Sequence, residues 1–297
     1  MFDLAQGVEM LRCNNAGIRF QGVPMPVREL LNRFSADAMP CQRRVAVQWV
    51  AAGILLPTWA NGAQAQMGLS GAINYAGWFR ALSQRMAKAY CQQYLQVLPG
   101  AAVDVMGLAR KMVQSGSNEL ARGMQSGQWP ADVGRQLADV QKQFALLNQL
   151  TAAPATQTAL VVAASEQADR TLLVAQTVTE SIEKMAQAPS ARLVNLAGRQ
   201  RMLSQRLAKN YFLNAAKVES KVVQAQLVAD AADFRQALQT LKAAPVSTPA
   251  IRSELELADS QWLFFDSALR RPADDAGLSA VALSLIHISE PTRQEAI

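Results

Sequence analysis

The sequence predicts an all-α protein made of two tandem antiparallel four-helix-bundle units, the second truncated in its last helix. Three observations carry this. The stretch from Asn74 to Lys88 returns as Asn195 to Lys209 at an offset of 121 residues with no gap, and Tyr90 returns as Tyr211. So long a period means two copies of a domain-sized unit and not a short solenoid repeat. Half the residues are hydrophobic, mostly Ala, Leu and Val, while only 6% are aromatic, a balance that favours helices over sheets. Prolines and glycines punctuate the chain at helix-length intervals, leaving short links of the kind that join antiparallel bundle helices.

Taken in order, residues 1–38 do not read as the start of a domain and are expected to be an over-extended gene start. Residues 39–65 read as a signal peptide: Arg43 and Arg44, an apolar run from Val45 to Trp59, then Ala63-Gln64-Ala65 as the cleavage site. The run is short for a membrane span; the alternative is an inner-membrane anchor formed by residues 45–60. Cleavage after Ala65 removes Cys13 and Cys41 and leaves Cys91 without a cysteine partner in the chain.

The first unit, residues 66–189, is expected to hold four helices. The motif helix runs from Ile73 to about Val97 and is stopped by Pro99-Gly100. The others run from Ala102 to about Met124, from Trp129-Pro130 to about Leu150, and from Pro154 to about Ala186. The second unit, residues 190–282, repeats the order: about Ala191 to Ala216, about Lys217 to Ala243, and Ala250 to Leu269. Phe144 and Phe265 keep the offset, which places the start of a fourth helix near Asp275. Residues 283–297 lose the Ala/Gln-rich character. Leu283 to Arg293 resembles the translation of a transposase adapter from sequencing libraries, so the tail reads as an artefact that cuts the natural helix short.

The net charge of +6 is mild and spread out, with no Arg-rich tract, which argues against nucleic acid as a partner. The single histidine, His287, lies in the suspect tail, and the cysteine spacing matches no metal or redox pattern. No metal, cofactor or catalytic constellation is expected, and the chain does not read as an enzyme.

On a helix, Arg80 is flanked at i−4, i−3, i+3, i+4 and i+7 by Ala76, Gly77, Ser83, Gln84 and Ala87; Arg201 is flanked in the same way by Ala197, Gly198, Ser204, Gln205 and Ala208. Small residues admit a second helix backbone, and a guanidinium held there stays charged and requires an acid or a bound anion. Neither motif contains an acid, although another helix could supply one. Asn74, Arg85 and Lys88, like Asn195, Arg206 and Lys209, fall on a different face, so one face would pack within its own bundle and the other against the sister motif helix. Arg80 and Arg201 would then converge on a small planar oxyanion across a pseudo-twofold axis. The plainer reading is that the arginines form intrachain ion pairs and the small residues serve helix packing alone. Against it stand the recurrence itself and a glycine inside each helix, which costs about 1 kcal/mol. Trp78 and Phe79, replaced by Arg199 and Gln200 in the second copy, read as packing residues.

The pattern Asn-x-Ala-Gly-x-x-Arg-x-x-Ser-x-Arg resembles the signature helix of the PilJ-like family, the N-terminal domain of type IV pili methyl-accepting chemotaxis transducers. It is also similar to the P-box of the nitrate/nitrite sensor kinases NarX and NarQ and to the nitrate-sensing NIT domain. It is met at Asn74, Ala76, Gly77, Arg80, Ser83 and Arg85, and again at Asn195, Ala197, Gly198, Arg201, Ser204 and Arg206. The resemblance implies a helical bundle in which Arg80 and Arg201, with Gly77, Gly198, Ser83 and Ser204 around them, hold the oxyanion, while Asn74, Asn195, Arg85 and Arg206 support the motif. It implies a periplasmic sensory module for nitrate, nitrite or a similar oxyanion, with a signalling or transport protein as partner. Pairing of motif helices within the chain and across a homodimer both remain open. The alternative is a pilus-type chemoreceptor ectodomain that recognises a protein and no small anion.

Overall fold

The computed structural model describes residues 68–125, 129–218, 221–245 and 248–289. The expected gene start and signal peptide lie outside these residues, as does the tail beyond Ser289. Eight helices and no strand are present among the described residues: α1 Leu69–Tyr94, α2 Pro99–Met124, α3 Ala131–Leu150, α4 Thr158–Ala186, α5 Pro189–Ala215, α6 Lys221–Lys242, α7 Pro249–Leu269 and α8 Asp275–Ser289.

Proline sets most of the starts. Pro99, Pro189 and Pro249 each occupy the first turn of a helix, where the missing N–H has no intrahelical partner to lose. Pro99 therefore opens α2 directly, where the sequence suggested only a stop. Thr248 adds a true N-cap, its hydroxyl accepting from Ile251 N at 3.3 Å. Left-handed residues close other elements: Gln187 (φ 45°) ends α4, and Lys217 (φ 55°) follows α5 and turns the chain toward α6. The link at Lys217 separates α5 from α6, which the Ala-rich sequence would have allowed to run on.

α1 is the centre of the molecule. Of its 26 residues, 18 are buried, including every residue from Phe79 to Gln92, so the helix is surrounded and not merely amphipathic. It packs on α2 and α4 of its own unit and as extensively on α5, the second motif helix. α5 in turn carries α6 and α8, and α7 packs on α8. The two repeats thus share the interface of their motif helices, which explains why two faces of the motif recur. Phe144 and Phe265 occupy corresponding places: Phe144 meets Phe79 edge-on at 5.8 Å, and Phe265 meets Trp262 at 6.0 Å. Trp262 also stacks on Phe234 at 4.2 Å, and these rings join the one hydrophobic core that holds Phe79 and Phe144.

Two charged motif residues of α5, Arg206 and Lys209, are paired with acids. Arg206 holds the fully buried Asp230 through Nε at 2.8 Å and through Nη2, and Gln226 donates to the same carboxylate. Lys209 reaches across to Asp169 of α4 at 2.6 Å. Burial pushes the Lys209 ammonium down from its ordinary value, and Asp169 opposes the shift. Cys91, a free thiol in the core, is pushed up to about 12 by burial.

Adjacent residues of α7 test the assigned core. Phe265 is fully buried, whereas Phe264 is 75% exposed. Phe265→Ala should cost about 3–5 kcal/mol in urea denaturation followed by circular dichroism. Phe264→Ala should cost less than about 0.5 kcal/mol. Equal effects would mean that the register of α7 is wrong.

Candidate functional site

The site grows from the crossing of α1 and α5. Gly77 and Gly198 face one another there: a Cβ built on Gly77 would lie 3.9 Å from the Gly198 Cα, and one on Gly198 would lie 3.8 Å from the Gly77 Cα. Neither helix could approach so closely with larger residues at both positions. The Arg80 guanidinium lies in the notch so formed, with Nη2 3.1 Å and 2.9 Å from the same two ideal Cβ positions. Arg80 is fully buried. Its Nη1 donates to Gln176 Oε1 of α4 at 2.6 Å and its Nη2 to the Asn195 main-chain oxygen of α5 at 3.3 Å. Its Nε is buried with no hydrogen-bond partner. One guanidinium therefore ties three helices together using neutral acceptors only.

Arg80 also lines a half-open cleft of about 380 Å³. Two helical stripes complete it. α4 contributes Gln176, Glu180, Glu183 and Lys184; α5 contributes Arg192, Asn195, Leu196 and Arg199. Both stripes follow the i, i+4, i+7 or i, i+3, i+4, i+7 spacing of one helix face. Burial, and next the neighbouring Arg199 guanidinium, push Arg80 down to about 10, while Glu180 and then Glu183 pull it up. Because Arg80 titrates lower folded than unfolded, its charge opposes folding fully below about pH 10, and this is relieved as pH rises through that value toward the ordinary arginine range.

The two motif arginines are treated unequally. Arg201 is exposed, donates from Nη1 to Asn74 Oδ1 at 2.8 Å, and is not among the residues lining the cleft. The expected convergence of two equal guanidinium forks is replaced by reciprocal reach: the arginine of each motif bonds the asparagine position of the other. α4, 29 residues long, brings Gln176 to Arg80; the position that matches Gln176 at the 121-residue offset, Ile297, lies outside the described residues. Ser83 and Ser204 turn their hydroxyls back onto their own helices, each donating at 2.9 Å to the carbonyl of Arg80 or Arg201 three residues earlier. Arg85 is buried beside the core and Arg206 binds Asp230, so neither lines the cleft. Of the residues expected at the site, Arg80 and Asn195 line the cleft, and Gly77 and Gly198 shape the notch beneath it.

The sequence reading did not pick out Gln176, Glu180, Glu183, Lys184 or Arg192, and took Arg199 as a mere replacement of Trp78. The signal was available in part: Gln176, Glu180, Glu183 and Lys184 form a polar stripe at the end of an Ala/Val-rich helix. The acids that the sequence said another helix could supply are Glu180 and Glu183.

With this geometry in place, comparison with known families adds one finding. The family model for the type IV pili methyl-accepting chemotaxis transducer N-terminal domain, PilJ, matches residues 185–283. That stretch is similar to the PilJ domain. The match covers α5, which carries the second motif, and extends through α7 into α8. PilJ is a chemoreceptor signalling family and not an enzyme family. No curated protein and no solved structure matches the chain. Among the described residues, no helix is long and apolar enough to cross a membrane, and no cluster of three or more His, Cys, Asp or Glu residues could hold a metal ion.

Two substitutions separate stability from site geometry. Arg80→Met removes a desolvated charge that has no carboxylate hydrogen-bonded to it. Stability should stay level or rise by up to about 4 kcal/mol, measured by urea denaturation; a loss of several kcal/mol would show that the two hydrogen bonds outweigh the cost of burying the charge. Gly198→Ala gains about 1 kcal/mol of helix propensity, but its Cβ would sit 2.9 Å from Arg80 Nη2, the far end of a flexible side chain. The fold should survive with Arg80 displaced, so near-wild-type denaturation together with weakened ligand binding is the expected outcome.

Proposed function

We propose that the chain is a periplasmic sensory module that binds a small oxyanion, such as nitrate or nitrite, at Arg80 and signals its presence by repacking the two motif helices. The observation that carries this is the buried Arg80 guanidinium, which lines a cleft with its Nε unpartnered and its other contacts made to neutral oxygens. A charge so placed favours an anion, and a planar oxyanion offers the acceptors that a guanidinium fork engages. The cations Lys184, Arg192 and Arg199 around the cleft favour entry of the same charge sign. The likeness of both motifs to the P-box and NIT helices supports the same reading, and periplasmic placement is supported by the PilJ domain and the Arg43–Ala65 segment.

Occupation of the cleft would bias helix packing because its lining comes from α1, α4 and α5 together, so a ligand with different affinity for two packings shifts their populations. The Gly77–Gly198 crossing is the contact about which such a shift would occur. A signalling or transport protein then reads the repacked surface. The second reading, a chemoreceptor ectodomain that recognises a protein without any small anion, is favoured by the PilJ match itself.

Titration calorimetry of the full chain with nitrate and nitrite distinguishes these readings. Saturable binding is expected, lost on Arg80→Ala and reduced less by Arg201→Ala, because Arg201 lies outside the cleft. Affinity should stay level through neutral pH and fall as pH passes about 10, where Arg80 loses its proton. A folded chain that binds neither anion nor any carboxylate supports the protein-recognition reading.

A further inference from the structure

The chemistry of the cleft exceeds the needs of a four-atom anion. A volume of about 380 Å³ lies within the range of pockets that hold organic ligands, about 300–1,000 Å³. Its walls carry both charge signs: beside Arg80, Lys184, Arg192 and Arg199 stand Glu180 and Glu183. Both carboxylates accept from amides, Glu180 from Gln176 and Glu183 from Asn195. Among the described residues, neither has a cation within ion-pair distance.

Residues that line the cleft also carry buried polar atoms. Two lack partners, and they are of opposite kinds: Arg80 Nε is a donor and Asn195 Oδ1 is an acceptor. The Asn195 amide is oriented by its Nδ2 bond to Glu183, which leaves Oδ1 as the free acceptor. Nitrate and nitrite carry acceptors only, so they satisfy the arginine and leave the asparagine oxygen unpaired, with two carboxylates opposing their charge. A buried polar atom without a partner keeps the full cost of its lost hydration. The two residues are in direct contact, since Arg80 Nη2 bonds the main-chain oxygen of Asn195 at 3.3 Å.

We propose that the cleft between α4 and α5 binds a free α-amino acid, its carboxylate on Arg80 and its ammonium held by Asn195 Oδ1, Glu180 and Glu183. An α-amino acid places a planar oxyanion and a three-proton donor on one carbon, matching neighbouring donor and acceptor sites. Its zwitterion answers both charge signs of the wall, and Leu196 offers an apolar contact to a side chain. This identification rests on the oxyanion reading above, with the oxyanion now a carboxylate.

The full chain is screened by thermal shift against the individual proteinogenic L-amino acids, nitrate, propionate and ethylamine, and hits are titrated by calorimetry. At least one amino acid should bind, at least about tenfold tighter than nitrate, propionate or ethylamine. Arg80→Lys should weaken the amino acid and propionate alike. Glu180→Gln with Glu183→Gln should weaken the amino acid about tenfold or more while leaving propionate and nitrate unchanged or tighter. Circular dichroism confirms that each variant is folded. Nitrate or propionate binding as tightly as every amino acid, or indifference to the glutamate changes, overturns the amino-acid assignment and leaves the oxyanion reading standing. Failure of every anionic and zwitterionic probe with folded protein, or amino-acid binding indifferent to Arg80, overturns both.

Discussion

The structure depends on the contact between two glycines. Gly77 and Gly198 let the backbones of α1 and α5 meet, and the notch they leave is where the Arg80 guanidinium fits. A larger residue at either position would occupy the place of that group. With it in place, α1 is enclosed on all sides, and a charge sits where water cannot reach it. Such a charge is unfavourable unless something compensates it. Two neutral hydrogen bonds and two nearby carboxylates compensate part, and the cleft gives access for the rest.

A symmetrical repeat has produced an asymmetrical site. The cations recur in both motifs, but their surroundings do not. Arg206 grips Asp230, whereas the position matching Asp230 in the first unit is Ala109. Arg80 is covered by α4 through Gln176, while Arg201 remains exposed with its hand on Asn74. Duplication supplied two equal helices; the neighbouring helices then set what each arginine meets. The arginine of one motif is buried at the cleft, and that of the other reaches across to Asn74.

The same arrangement suits a sensor. The cleft is lined by the last three turns of α4, the first half of α5 and one residue of α1, so all three helices contribute to it. α1 belongs to the first repeat and α5 to the second, and their contact is the principal one between the repeats. Arg80 bonds both Gln176 of α4 and the main-chain oxygen of Asn195 on α5, so one side chain of α1 joins all three helices that line the cleft.

By itself, the sequence determined the helices, their number and the repeat. Periodicity and proline punctuation are local properties, and the 121-residue offset located the start of the last helix at Asp275, where α8 begins. It also singled out Arg80, because an arginine among small residues is legible from i, i+3 and i+4 neighbours alone. The tertiary structure decided the rest. That Arg80 is buried and Arg201 is not depends on which helix lies above each, and the counterpart of α4 cannot be judged from within a motif. Gln176, Glu180, Glu183 and Arg192 joined the site only when α4 folded against α5 across the turn at Gln187. Nothing in their own spacing tells a solvated stripe from a cleft wall, because that difference is made by the surface on the other side.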